Sequence, residues 1–159
     1  MAVDAFLKLY DIPGDSTDPN HKDEIEVESF SFGLSNTGRT TAGGGGGAGK
    51  VSFQDFHFTV PASKASPNLF LACAMGRHIK TATVTVRKAG LSASEFLKYE
   101  LTDVMVSSYQ DTLVNDGTNE ETFTLNFAKV VTSYSSTEPT GILARPVIAT
   151  WDLSAFKAD

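Results

Sequence analysis

Lys50 closes the stretch Gly44-Gly45-Gly46-Gly47-Ala48-Gly49-Lys50, which meets the G-x-x-x-x-G-K spacing of a phosphate-binding loop. Such a loop cradles phosphate with backbone N–H groups, and a Ser or Thr after the lysine holds magnesium. Here residue 51 is Val, and the residues beyond it alternate like a strand, so no helix N-terminus aims its N–H groups at an anion. The spacing is present without the chemistry. Asp55 and His57 share one face of an alternating segment, and a carboxylate beside an imidazole could orient a general base or hold a metal. No Ser or Cys stands nearby in a recognisable nucleophile turn, so an outward polar strand face is the simpler reading. Asp11, Asp15 and Asp18 supply oxygen ligands but lack the Gly and bidentate Glu of a calcium loop. Glu24, Glu26 and Glu28 share a strand face, as at a wet edge or a partner-facing surface. Cys73 lies in an apolar segment and reads as a small core residue.

The elements that must hold these residues mostly follow period two. Residues 6–10 form a first strand, stopped by Pro13-Gly14, and residues 11–23 make a polar loop too long for a simple hairpin. In residues 25–34, Ile25 and Val27 share one parity while Phe30, Phe32 and Leu34 take the other, which predicts a bulge near Glu28-Ser29. Residues 51–60 change parity at Gln54-Asp55 in the same way. Two such switches fit a strongly curved antiparallel pair. Between them, residues 35–50 are rich in glycine and read as a loop. A helix is expected over 67–75, with Ser66 as N-cap, Pro67 at its first position and Gly76 ending it. Its apolar face would be Leu69, Phe70, Ala72, Cys73 and Ala74. Strands follow at 79–88, 96–109 (with a parity change after Leu101), 123–134 and within 141–153, where Trp151 can seal the core. Asp116-Gly117 marks a turn. About seven strands and one short helix make a β-barrel or sandwich.

The chain has 159 residues, so one domain, 1–159, is expected. A net charge of −6 has the wrong sign for releasing counterions from nucleic acid or anchoring to an anionic membrane. One cysteine permits neither an intramolecular disulfide nor a Cys-rich zinc site. The first residues show no basic stretch followed by a long apolar one, so no signal peptide is expected. No apolar run approaches the roughly 20 residues of a membrane span.

A series of ordered blocks goes further. His21-Lys22-Asp23-Glu24-Ile25-Glu26-Val27 is followed by Gly47-Ala48-Gly49-Lys50-Val51-Ser52-Phe53-Gln54-Asp55-Phe56-His57-Phe58. Next come Lys64-Ala65-Ser66-Pro67-Asn68-Leu69-Phe70, Gly76-Arg77-His78-Ile79, Thr85-Val86-Arg87-Lys88-Ala89-Gly90, residues 101–108 and Thr124-Leu125-Asn126-Phe127-Ala128-Lys129-Val130. Together, over almost the whole chain, they resemble the Hcp (haemolysin-coregulated protein) family of bacterial type VI secretion systems. The resemblance implies a mainly β fold, an antiparallel two-sheet β-barrel with one short flanking α-helix, assembled as a homohexameric ring. It implies rings stacked into an inner tube that a contractile sheath expels, with a VgrG-type spike at the tip and effector proteins in the lumen. Secretion by that apparatus needs no signal peptide. The family has no catalytic residues to carry over, so a non-enzyme without cofactor or metal is expected.

In the family the long loop after the first strand reaches a neighbouring protomer. Here that loop is 11–23, and its charged end places His21, Lys22, Asp23 and Glu24 at the expected protomer interface. The family's aromatic-Ser-aromatic run, with Trp on both sides, is here Phe30-Ser31-Phe32, so Ser29 and Ser31 are expected to face the lumen. Residues 142–159 match less sharply. Two other readings remain at this level: a monomeric small-molecule-binding β-barrel with the Gly-rich loop as a lid, and a small hydrolase using Asp55 and His57. Oligomeric state separates the first of these from a ring.

Overall fold

Alternating side chains produce strands where the parity pattern places them, but two of these strands break at their parity changes and exchange partners there, while the third runs on through its change. The computed structural model describes residues 2–38, 50–89 and 94–155. In these residues the strands are β1 (Val3–Leu9), β2 (Ile25–Val27), β3 (Ser29–Ser31), β4 (Leu34–Asn36) and β5 (Val51–Phe53). After them come β6 (Phe56–Val60), helix α1 (Ser66–Met75), β7 (His78–Lys88), β8 (Glu95–Leu113), β9 (Asn119–Tyr134) and β10 (Val147–Asp152). Ten strands replace the expected seven because two expected strands each divide and one of them contributes a third piece. The fold is mainly β, as expected.

The large sheet is antiparallel, in the order β2-β1-β7-β8-β9-β6-β3, with β10 also paired to β9. β2 and β3 occupy its two edges, and one residue, Glu28, separates them in the chain. The Glu28 N–H donates to the Thr59 carbonyl (2.9 Å) as the backbone crosses from one edge to the other. That crossing nearly closes the sheet into a barrel and removes two free edges. It also explains the parity change. Ile25 and Val27 bury their side chains beside β1, whereas Phe30 packs inward opposite Phe58 of β6, leaving Ser29 and Ser31 exposed.

Gln54-Asp55 marks the second break, where the Gln54 N–H reaches the Gly33 carbonyl (2.9 Å) and the paired β4 and β5 leave the barrel as a second, two-stranded sheet. Leu34 therefore sits on the departing hairpin and is 58% exposed, not inward with Phe30 and Phe32. Ser35 and Asn36 pair within β4, so the expected loop begins later; its glycine-rich part, and with it the phosphate-loop spacing and the lid, lies outside the described residues.

β8 and β9 are longer than expected and kink opposite each other. Asp103 takes a left-handed φ of 54° between buried Leu101 and Val104, and β9 changes parity between buried Phe127 and Val130. The core is aromatic: Phe56, Phe58 and Phe123 are fully buried, and Phe32 stacks on Phe56 at 4.1 Å between ring centroids. Such rings bury large apolar areas and add offset-stacking geometry. Trp151 packs against this core near Phe53 (6.3 Å).

Helix α1 ends as expected, with Gly76 left-handed at φ 62°. Its start differs. Ala65 is the N-cap, and Ser66 is the first helical residue; its hydroxyl donates to the Glu121 carboxylate (2.7 Å). A buried carboxylate is a stronger acceptor demand than a helix end open to water. The apolar face is also narrower than expected. Leu69 and Ala72 are buried and Cys73 is half-buried, but Phe70, Leu71 and Met75 face outward.

Candidate assembly surfaces

The loop between β1 and β2 is fastened to its own barrel. Gly14 lies so close to the chain's return that a Cβ there would meet the Glu24 carbonyl oxygen at 2.5 Å. Its N–H donates to the Asp23 carbonyl (2.7 Å), and Ile12 and Ser16 are buried beneath. Buried Arg87 on β7 grips the loop: Nη1 donates to Asp18 Oδ1 (3.1 Å), Nη2 to Asp18 Oδ2, and Nε to Asp4 Oδ2 (3.2 Å). The guanidinium holds the Asp18 carboxyl below the usual carboxylate range, and Asp18 in turn raises the Arg87 pKa.

His21 is buried and stacks on Phe6 (4.3 Å), with Nδ1 at 3.0 Å from the Glu24 carboxylate and Nε2 at 2.7 Å from Glu95 Oε1. Of the four residues expected at a protomer interface, His21 and Glu24 thus face inward and pin the loop. Lys22 and Asp23 are exposed, with Asp23 in a left-handed conformation (φ 62°) and paired to Lys64 at 3.3 Å. The three loop aspartates diverge: Asp11 meets Arg77, Asp15 accepts the Lys64 N–H, and Asp18 meets Arg87. The part played by Arg87 was not legible in the sequence: it keeps the outer-face parity of Thr85 on β7, opposite Val84 and Val86, and is buried only because the β1–β2 loop folds over that face.

A second surface spans four strands of the barrel's outer face. Register aligns Ser29 (β3), Thr59 (β6), Thr122 (β9) and Gln110 (β8) in one row. Ser31, His57, Thr124 and Ser108 make the next. At the β8 register shift both Ser107 and Ser108 face outward, and their hydroxyls bond to Thr124 Oγ1 at 2.7 and 2.5 Å. Ser107 also donates to Asp55 Oδ2 (2.6 Å). Asp55 is therefore engaged by a serine, and no hydrogen bond among the described residues joins it to exposed His57. The two rows hold no Lys, Arg, Asp or Glu. This face offers hydroxyl, amide and imidazole groups, with the Asp55 carboxylate at its border through Ser107. Ser29 and Ser31 lie at its β3 end.

Under α1, buried Glu121 accepts from Ser66 Oγ and from the Tyr109 hydroxyl (2.8 Å). Burial, followed by the bond to Glu121, pushes the Tyr109 pKa well above its ordinary value. Among the described residues no three His, Cys, Asp or Glu side chains gather as a metal site, and no helix is long and apolar enough to cross a membrane.

Comparisons with known proteins give the family of the fold. Residues 6–134 match the family described as "Type VI secretion system effector, Hcp". Protein hcp1 of Pseudomonas aeruginosa is 42% identical over 144 residues, covering 89% of this chain and 88% of its own. The crystal structure of Hcp1 from Salmonella typhimurium superposes with a TM-score of 0.85 at 36% identity, covering all of both chains. A structure titled as that of a type six secretion system protein gives a TM-score of 0.92 at 28% identity, covering 99% of this chain and all of the other. With the family match extending over most of the barrel, from β1 to the end of β9, the chain belongs to the Hcp family of type VI secretion proteins.

Proposed function

We propose that this chain is the repeating subunit of a type VI secretion inner tube, acting by self-assembly and not by catalysis. Six copies close into a ring, the rings stack, and a contractile sheath drives the tube out of the cell behind a VgrG-type spike. A ring requires one surface to meet a different surface on the next copy, with closure stopping further growth. Exposed Lys22 and Asp23 contribute to that contact, on a loop that His21 and Glu24 hold in place. The observation that carries the lumen assignment is the hydroxyl face that begins at Ser29 and Ser31. A passage for effector proteins benefits from weak, neutral hydrogen bonding, because a strongly charged wall would bind cargo of opposite sign too tightly to release it.

Light scattering on the purified chain after size-exclusion chromatography tests the ring. The expected mass is six times 17.0 kDa. A monomer at high concentration would overturn the proposal and leave the ligand-binding barrel. Ser31→Arg tests the lumen: rings should persist while retention of co-expressed effector is lost. Unchanged retention would move the lumen to another face.

A further inference from the structure

His21 has a carboxylate at each end of its ring. Glu24 lies 3.0 Å from Nδ1 and Glu95 Oε1 lies 2.7 Å from Nε2, while the ring face stacks on Phe6. A neutral imidazole carries one N–H and one bare lone pair, so it donates to only one of two ionised carboxylates. The other nitrogen would then set its lone pair against an oxyanion at hydrogen-bond distance. Both contacts close only when the three groups share two protons, as imidazolium between two carboxylates or as imidazole beside one protonated carboxyl.

The surrounding charges come from the loop and from β1, β2, β7 and β8. Asp18 of the loop and Asp4 of β1 are both taken by Arg87 of β7. Arg87 also covers Phe6 at 4.9 Å and is the register partner of Glu95. In the Phe6 row, Glu26 of β2 lies on one side, and Thr85 and then Lys98 of β8 on the other; Lys98 stands 3.7 Å from Glu100. Lys22 and the Asp23–Lys64 pair flank His21 on exposed positions. The guanidinium and the Lys98 and Lys64 ammonium groups thus have carboxylates of their own, and His21 is the proton carrier that Glu24 and Glu95 share.

We propose that the His21–Glu24–Glu95 triad is a proton-operated latch on the loop that carries Lys22 and Asp23. While the triad holds two protons, this end of the loop is tied to the start of β8. When pH rises, one proton leaves to water. Glu24, with its side chain 13% exposed, keeps the Nδ1 N–H, and Glu95, 38% exposed, turns out to solvent. Arg87 still grips Asp18, so the loosening is confined to residues 19–24. The consequence for assembly rests on the ring contact proposed above: a loosened Lys22–Asp23 segment must be ordered again when the ring closes, which weakens the ring as pH rises.

The His21, Asp23 and Glu24 amides donate to the Asp18, Ser16 and His21 carbonyls, and their hydrogen exchange reads the latch once corrected for the intrinsic effect of pH. Between about pH 6 and about pH 9, a span that brackets the ordinary histidine range, their exchange should speed about tenfold or more, as for the loss of one charge-assisted bond. Glu95→Gln is the discriminating variant. Its side-chain oxygen accepts from Nε2–H and its amide donates to a bare Nε2, so the loop should stay protected at both pH values. Glu95→Ala should be unprotected at both. A wild-type loop indifferent to pH would overturn the latch, as would a Glu95→Gln loop that loosens as much as wild type. Light scattering on the same samples should show the wild-type ring dissociating at a higher concentration at about pH 9 than at about pH 6, with the Glu95→Gln ring unchanged. A monomer whose loop still follows pH would remove the ring reading and keep the latch. A ring whose loop ignores pH would do the reverse.

Discussion

Tyr109→Phe isolates one hydroxyl at the junction of α1, β8 and β9. That hydroxyl donates to Glu121 Oε2 at 2.8 Å, and Glu121 is 1% exposed, with Ser66 Oγ as its other donor. A hydrogen bond to a charged group contributes about 1.5–3 kcal/mol, and a buried acceptor left without its donor costs a similar amount. Water reaching the vacated space would lower that cost, so a loss of about 2 kcal/mol is expected. For a chain of this size it corresponds to roughly 4–8 °C in Tm. The control is Tyr99→Phe. Tyr99 packs edge-on to Phe56 (5.1 Å) in the aromatic core, and no hydrogen bond of its hydroxyl was found among the described residues, so a change within about 0.5 kcal/mol is expected. Urea unfolding followed by circular dichroism, at matched protein concentration and oligomeric state, measures both. Equal effects of the two substitutions, or a Tyr109→Phe loss below about 0.5 kcal/mol, would refute the assignment of the hydroxyl to the buried carboxylate. The alkaline limb supplies a second reading. Because folding raises the Tyr109 pKa, its contribution is fully present below the ordinary tyrosine pKa of about 10 and is lost as pH rises above it. Tyr109→Phe should flatten that loss.

Further expectations concern the loop and the core. Arg87 holds the Asp18 carboxyl below its ordinary pKa, so its contribution is present above that ordinary value and falls away as pH drops toward the folded pKa; proteolysis within residues 11–24 should rise over that acid range and become insensitive to it in Arg87→Met. Gly14→Ala forces a Cβ against the Glu24 backbone and should cost about 1–3 kcal/mol in unfolding assays while leaving the far-ultraviolet spectrum barrel-like. Lys22→Ala with Asp23→Asn, which keeps a residue that tolerates the left-handed backbone, should weaken assembly in dilution experiments while changing thermal stability by less than about 1 kcal/mol; unchanged assembly would place the contact elsewhere. Phe56→Ala removes a fully buried ring and should cost about 3–5 kcal/mol.

The alternation of side chains by itself determined that the chain is mainly β and where β2 gives way to β3 and β5 to β6, and Gly76 by itself marked the end of α1. These are local matters: a parity change or a left-handed position follows from neighbours in the chain. Ordered blocks along the sequence also carried the family. What only the tertiary structure decided is which polar residues act together. His21 and Glu24 were expected at a protomer contact but meet each other within the protomer, where His21 also meets Glu95 and Phe6. Asp55 and His57 looked like a pair, yet a serine from β8 takes the carboxylate. Arg87 stands on the outer face of β7 and is buried only because a distant loop folds over it, and Ser66 leaves its expected capping role for Glu121, 55 residues away. Burial and hydrogen-bond partnership depend on strands far apart in the chain lying side by side. Pairing register selects those neighbours, and a one-residue slip exchanges every one of them.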